Sequence, residues 1–302
     1  MKYIVFGKGK CGEFVRKELL KRKHQVIQIE TGSFIKKEWL ELPVIVGVFN
    51  AKDSYLKIKK SLNRKGFPLV ISFEEFYRNF NVRKPYFWLD DGGFDLKNFH
   101  KIYEKLADEK SKLVFKGIVA HRLRFQFGCL VDPDKNQYFP EDVPIEWNSI
   151  KVAVDGGAYN GDTAKKFQKR GIKAITFEPN PNYKQEFVYA LSDKEELIPF
   201  NIDGQSSSCG KGSMKVKAFP LDKFDLKPDY IKLDVEGYEK KALLGAKKTI
   251  LKYRPVLAVA LYHKPNDLYD IPLLLMSWGA TGLYVRNHGE HCLETILYVL
   301  WR

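Results

Sequence analysis

Asp155, Glu178, Asp234 and the pair Tyr262-His263 each close a short apolar run, at residues 151–154, 173–177, 229–234 and 255–262. If these runs are strands of one parallel sheet, their carboxyl ends share a rim, and such sheets bind ligands at that rim. Polar groups gathered there can do several kinds of work. One carboxylate can accept both hydroxyls of a ribose, and another can meet a cationic ligand group. A carboxylate beside an imidazole can take a proton from a reacting hydroxyl, or orient it.

The turn after the first run reads Asp155-Gly156-Gly157-Ala158-Tyr159-Asn160-Gly161-Asp162-Thr163. Its glycines allow close approach of backbone to a ligand. A phosphate clamp would show Gly-x-Gly-x-x-Gly or a lysine after the glycines, and this turn has neither. An acid ahead of the glycines suits a ligand with a positive end, and the ammonium and sulfonium of S-adenosylmethionine meet that requirement. Glu178, opening Glu178-Pro179-Asn180-Pro181, would hold the ribose. Lys232, Asp234 and Glu236 alternate, so a strand would turn them to one face. Asp234 reads as a base, an orienting group or a ligand for a hard cation; capping of the next helix is the ordinary alternative. His263 stands beside Lys264-Pro265 as its partner or as a buried structural histidine, with His288 and His291 ranked behind it.

The elements that carry these residues alternate. Strands are expected at 151–154, 173–177, 187–191, 195–201, 229–234 and 255–262, and helices at 162–170, 236–252 and 267–278. A polar loop spans 204–213, and strands at 281–286 and 294–301 close the chain as an antiparallel edge. This pattern predicts an α/β protein with helices on both faces of a parallel sheet. Ahead of it, a strand at 2–6, Gly7-Lys8-Gly9-Lys10-Cys11-Gly12, a helix and a strand ending in Glu30 form a dinucleotide fingerprint, read either as a nucleotide or nucleotide-sugar site or as a glycine turn that closes a strand-helix unit with no ligand. That unit ends after a strand at 43–49, a helix at 51–65 and a strand at 67–72, about half a full dinucleotide domain. Tyr55 and Lys59 have the spacing of an oxidoreductase pair but come too early to serve a nicotinamide, and are read as solvent-facing. Residues 81–137 form a connector with Pro85, Tyr86, Phe87, Trp88 and Gly92-Gly93, helices at 95–107 and 110–127, and a loop marked by Pro133. The expected divisions are therefore 1–80, 81–137 and 138–302.

The chain has 302 residues, 44% of them hydrophobic, enough for two cores. No apolar run reaches the roughly 18 residues that span a bilayer, and the N-terminal run is too short for a signal peptide, which predicts a cytoplasmic protein. Cys11, Cys129, Cys209 and Cys292 are too scattered for a zinc site. The net charge of +14 favours acidic partners. Its lysines are spread over helix faces without interleaved aromatics, which argues against specific nucleic-acid binding.

The stretch 154–163, Phe177-Glu178-Pro179-Asn180-Pro181, Ala190-Leu191-Ser192-Asp193 and Ile231-Lys232-Leu233-Asp234-Val235-Glu236-Gly237-Tyr238-Glu239 occur in that order. With Leu244-Gly245-Ala246, Leu261-Tyr262-His263-Lys264 and Glu294-Thr295-Ile296-Leu297-Tyr298, they resemble the FkbM-type S-adenosylmethionine-dependent methyltransferases over residues 138–302. The resemblance implies a class I, Rossmann-like methyltransferase domain and methyl transfer to oxygen, often a hydroxyl of a sugar or natural product. Cofactor contacts are then expected at Asp155, Gly156, Gly157, Ala158, Tyr159, Thr163, Glu178, Pro179, Asn180, Leu191 and Ser192. Asp234, assisted by His263, is expected to activate the acceptor, with a divalent cation at Asp234, Glu236 and His263 left open. The first part looks like a small Rossmann-like domain that binds nucleotide-sugars, pointing to a sugar, nucleotide-sugar or glycan acceptor. Two alternatives stand: an NAD(P)-dependent oxidoreductase working at Gly7–Gly12, and a non-catalytic module that binds a nucleotide-sugar or glycan.

Overall fold

The structure is a computed structural model describing residues 1–82, 89, 95–201, 208–209, 212 and 214–301. The connector aromatics Tyr86, Phe87 and Trp88 and most of the 204–213 loop lie outside the described residues. Apolar strands β1 (Lys2–Phe6), β2 (Gln25–Ile29), β3 (Val44–Val46) and β4 (Val70–Ile71) form a parallel sheet in the order β2-β1-β3-β4. The helices are α1 (Lys10–Lys21), α2 (Tyr55–Arg64) and α3 (Phe73–Asn79). Ser72 and Glu75 start α3 with a reciprocal capping box. Tyr55 corrects its solvent-facing reading: it is buried, and its hydroxyl donates to the Val70 carbonyl at 3.0 Å.

Two glycines of the fingerprint in this part, Gly7 and Gly12, pack protein against protein, while Gly9 faces open space. A Cβ on Gly12 would stand 2.0 Å from the Gly7 carbonyl oxygen, and one on Gly47 would stand 2.5 Å from the Gly12 Cα. The missing side chains thus bring three backbone segments together. Glu30, the expected ribose acid, is exposed and paired with Lys8 at 2.8 Å.

Helices α4 (Leu96–Tyr103) and α5 (Glu109–Arg124) follow, capped by Asp95 and Asp108, whose carboxylates accept the amides of Asn98 and Ser111. The second is shorter than expected because Phe125 turns left-handed, with φ 52°. After it come β5 (Val152–Gly156), α6 (Asp162–Gln168), β6 (Lys173–Phe177), β7 (Ala190–Leu191), β8 (Glu196–Asn201), β9 (Ser208–Cys209), β10 (Met214–Phe219) and β11 (Tyr230–Leu233). The chain ends with α7 (Glu239–Gly245), α8 (Lys247–Tyr253), β12 (Val256–Ala260), α9 (Asp267–Ser277), β13 (Gly282–Asn287) and β14 (Thr295–Leu300).

The main sheet has the order β13-β14-β12-β11-β5-β6, with β12, β11, β5 and β6 mutually parallel. β11 and β12 are buried almost throughout, as continuous apolar strands covered on both faces must be. The closing pair is antiparallel as expected, but β14 inserts beside β12 and leaves β13 at the edge. A second sheet, β7-β10-β8-β9, was not foreseen: β7 and β8 both pair with β10 rather than forming a hairpin with each other. The single helix expected at 236–252 is two helices. Left-handed Glu236 (φ 55°) and Gly237 (φ 91°) delay its start to Glu239, and Ala246 breaks it.

One apolar cluster includes Val5 and Phe76 of the first part with Val154, Leu257 and Val299 of the last. Arg286 of β13 is 1% exposed and ties the connector to the edge strand, reaching Asp108 at 2.6 Å, Ser111 at 2.8 Å and Asp142 at 2.9 Å. Among the described residues, no helix is long and apolar enough to cross a membrane.

Candidate active site

A cavity of about 290 Å³ opens at the carboxyl ends of β5, β6 and β11, where the strand-end rule placed it. Glu178 leaves β6 into this cavity and is 6% exposed. Its Oε2 accepts the Tyr159 amide at 2.9 Å and its Oε1 the Asn180 amide at 2.8 Å, so the carboxylate is held in one orientation. Burial raises its pKa despite those two bonds. Gly157, Tyr159, Thr163, Pro179 and Leu191 line the cavity with it.

Asp155 does not line the cavity. It is fully buried, with Lys232 Nζ 2.9 Å from its Oδ1, and the same ammonium donates to the Gly157 carbonyl at 2.6 Å. The positive end expected from a ligand is therefore supplied by the chain. Burial opposes the Lys232 charge, but Asp155 and Asp234 hold its pKa above the ordinary lysine value. Asp155 Oδ2 has no hydrogen-bond partner among the described residues, so an acceptor remains beneath the glycine turn.

The glycines make room for protein as well as ligand. A Cβ on Gly157 would lie 1.8 Å from the Asp234 carbonyl oxygen, and one on Gly156 2.9 Å from Leu191 Cδ1. Ala158, Asn180 and Ser192 are buried and lie outside the cavity lining. Asn180 shapes the turn by accepting the Asn182 amide, and Ser192 donates to Glu196 at 2.9 Å. At the start of α6, Asp162 Oδ1 accepts the Thr163 amide at 2.7 Å.

Asp234, past the end of β11, is the hub of the other half. Tyr138 donates to its Oδ2 at 2.5 Å and Tyr262 to its Oδ1 at 3.1 Å, while His263 Nε2 lies 3.5 Å from that Oδ1. Burial alone would raise the Asp234 pKa; His263, Lys232 and the two hydroxyls overcome it and hold the carboxyl below its ordinary range. His263 Nε2 also lies 3.5 Å from Glu236 Oε2, and its Nδ1 lies 2.9 Å from Oε1 of fully buried Glu239. Burial disfavours the imidazolium, yet Glu239 and Glu236 push its pKa up to about 10, so at neutral pH His263 is a cation. The same Glu239 oxygen accepts the Val235 amide at 2.8 Å and shapes the turn below Asp234.

Sequence reasoning brought Asp234, Glu236, His263 and Glu178 to this rim but missed Gln137, Tyr138, Tyr189, Phe200, Glu239 and Glu294. Glu239 had a visible signal, as an acid in the first turn of a helix that follows a site strand. Tyr138 had none, since its contact with Asp234 crosses the chain. The group Asp234, Glu239 and His263 offers ligand atoms within 4.8 Å of one another.

A parallel sheet with a glycine turn after one strand and an oriented acid closing the next, beside a polar cluster at a third, defines a class I, Rossmann-like methyltransferase fold. Residues 155–289 match the family model of the methyltransferase FkbM domain, which makes the protein a methyltransferase. A methyltransferase of this kind uses S-adenosylmethionine as the methyl donor. The fold is shared with the crystal structure of methyltransferase FkbM from Methylobacillus flagellatus KT, with a TM-score of 0.76 and 19% identity over 99% of this chain and 89% of that one. An NAD-complexed D-isomer specific 2-hydroxyacid dehydrogenase from Lactobacillus delbrueckii ssp. bulgaricus gives a TM-score of 0.29 and 11% identity over 92% of this chain and 76% of that one. The D-lactate dehydrogenase TP0037 from Treponema pallidum gives 0.28 and 14% over 92% and 75%. Scores that low carry no weight for fold or function. No curated protein matches the chain.

Proposed function

We propose that the protein transfers a methyl group from S-adenosylmethionine to a hydroxyl of a sugar, nucleotide-sugar or glycan-type acceptor. The supporting observation is Asp234, fixed by Tyr138, Tyr262 and His263 in the cavity that Glu178 lines. When bound, the donor supplies an electrophilic methyl group, and the rest of the work is alignment. Glu178 holds the ribose, Tyr189, Leu191 and Phe200 form an apolar wall for the base, and Asp155 with Lys232 fixes the glycine turn. Asp234 accepts from a neighbouring hydroxyl of the acceptor and so points the reacting one, while the His263 cation keeps that carboxylate charged. Gln137, Glu236 and Glu294 complete a polar, acid-rich half of the cavity that suits a neutral polyol at the reacting end. A panel of sugars, nucleotide-sugars and oligosaccharides with methyl-labelled donor tests this; label on no member, with donor bound, would remove the acceptor class.

A second reading concerns a divalent cation. His263 Nε2 stands 3.5 Å from both Asp234 Oδ1 and Glu236 Oε2, with Glu239 behind its other nitrogen. That is the layout of a histidine ligand oriented by a carboxylate. Such an ion would displace the imidazolium proton and polarise the acceptor oxygen. Loss of transfer in EDTA, restored by magnesium, manganese or zinc, would favour it; an unchanged rate would exclude it.

A further inference from the structure

Glu236 and Glu294 are the cavity carboxylates least engaged by hydrogen bonds, and Glu236 already faces the His263 imidazolium at 3.5 Å, which leaves Glu294. Both Asp234 oxygens accept tyrosine hydroxyls, and both Glu178 oxygens accept backbone amides. Glu294 Oε2 accepts from the Gln137 side chain, and no hydrogen bond to its Oε1 is found among the described residues. It reaches the cavity on the loop between β13 and β14, where His291, Cys292 and Glu294 all have left-handed backbone (φ 58°, 58° and 59°). Three such residues in four positions are a strained arrangement that the surroundings must enforce.

The enforcement comes from both ends of the chain. The His288 amide donates to the Glu294 carbonyl at 3.0 Å, and Thr295 Oγ1 donates to Asn287 at 3.1 Å, which closes the loop. Its middle is gripped by the first part of the chain. The Glu290 amide donates to the Ala51 carbonyl at 2.9 Å, His291 Nδ1 lies 2.5 Å from Glu74 Oε1, and His291 Nε2 lies 3.2 Å from the Asp53 carbonyl. Gly289 is wedged between: a Cβ there would stand 2.7 Å from Ala51 Cβ and 2.8 Å from Glu294 Cγ. The loop thus presses on Glu294 from one side and on the 49–53 segment from the other.

We propose that Glu294 is the catalytic base that takes the acceptor proton, and that residues 1–80 position it by gripping the 288–294 loop. The proposal rests on the methyl-transfer reading above. As the acceptor O–H bond breaks, its proton passes to the Glu294 carboxylate. The freed electron pair forms the O–C bond to the methyl carbon, and the C–S pair returns to sulfur, which leaves as a neutral thioether. Glu294 then loses the proton to water. Asp234 serves this step less well, because each of its oxygens already accepts a tyrosine hydroxyl and nearby cations lower its basicity. For Glu294, burial and then the Asp234 charge raise proton affinity, against the Gln137 bond, His263 and Lys232; Tyr138 and Tyr262 also face it. The first part of the chain thereby gains a role in the reaction that needs no bound nucleotide.

The test uses the full chain, donor affinity by calorimetry with S-adenosylmethionine, and kcat against pH with the best acceptor of the panel. Glu294→Gln should lower kcat by about 10²–10⁴-fold, leave donor Kd within about twofold, and abolish the acid limb of the profile. Glu294→Asp should restore the limb at a reduced rate. Glu74→Gln, and separately His291→Asn, should lower kcat at unchanged donor Kd and acceptor KM. A wild-type chain that does not bind the donor sinks the underlying reading and the proposal with it. A wild type that binds and transfers, while Glu294→Gln keeps its rate and its acid limb, overturns the proposal alone. Unchanged kcat in both loop-grip variants overturns the positioning role of residues 1–80.

Discussion

Lys232 and Asp155, on adjacent strands β11 and β5, form a buried ion pair at 2.9 Å directly beneath the glycine turn. Both side chains are almost wholly inaccessible, so neither charge can turn to water if the other is removed. Lys232→Met should therefore lower unfolding free energy by about 3–5 kcal/mol, the usual cost of leaving one buried charge unpaired. The double variant with Asp155→Asn should recover a large part of that loss. Urea denaturation of the three chains checks this, and a loss under about 1 kcal/mol in the single variant would contradict the pairing.

Glu178 is the residue on which donor affinity should depend most. Its removal would take away the acceptor proposed for the ribose and strand the amides of Tyr159 and Asn180, which donate to it. Hydrogen bonds to a charged group contribute about 1.5–3 kcal/mol, so Glu178→Ala should weaken binding roughly tenfold to a hundredfold. Calorimetry with S-adenosylhomocysteine measures it. Unaltered affinity would mean that the ribose lies elsewhere.

His263 should leave no limb near its ordinary pKa of 6.5 in the rate profile, because its neighbours hold it protonated up to about 10. Its contribution to stability has the sign of a raised base: fully present below pH 6.5 and lost as pH rises through about 10. The Tm difference between wild type and His263→Gln should accordingly shrink over that interval. A difference that grows with pH would show that His263 is buried neutral.

Much of this site could be read from residue order, and the physical reason is specific. Asp155, Glu178, Asp234 and His263 each follow an apolar run, and parallel strands turn their ends to one rim, so local pattern predicts a shared location. Local pattern does not say which way a side chain faces there. Asp155 looked like a ligand contact, but Lys232, two positions before Asp234, satisfies it first. The second sheet was hidden because β10 carries alternating lysines, and its partners β7 and β8 come from separate stretches of chain. Tyr138 and Glu294 were out of reach, since a proline-marked loop and a left-handed loop deliver them. The Gly7–Gly12 fingerprint left a ligand site and a structural turn both open for a related reason: glycine spacing reports close approach, and at Gly7 and Gly12 the approaching group is backbone.

The contact between the first part of the chain and the 288–294 loop should have a pH signature of its own. Glu74, His291 and His121 are buried together, with Glu74 Oε1 2.5 Å from His291 and 3.6 Å from His121. Burial would raise the Glu74 pKa, but His291 and His121 outweigh it and bring it from the ordinary 4.5 to about 2. Burial likewise opposes the His291 charge, and Glu74 raises its pKa above 6.5. A depressed acid stabilises the fold above pH 4.5 and loses that effect as pH falls towards 2. A raised histidine stabilises below pH 6.5 and loses its effect as pH rises through its folded value. The pair should therefore contribute most between pH 4.5 and 6.5. The Tm gap between wild type and Glu74→Gln should peak in that window and narrow on both sides, as followed by calorimetry. A gap that is flat with pH would mean that Glu74 and His291 pack as neutral groups, leaving shape rather than charge to hold the loop.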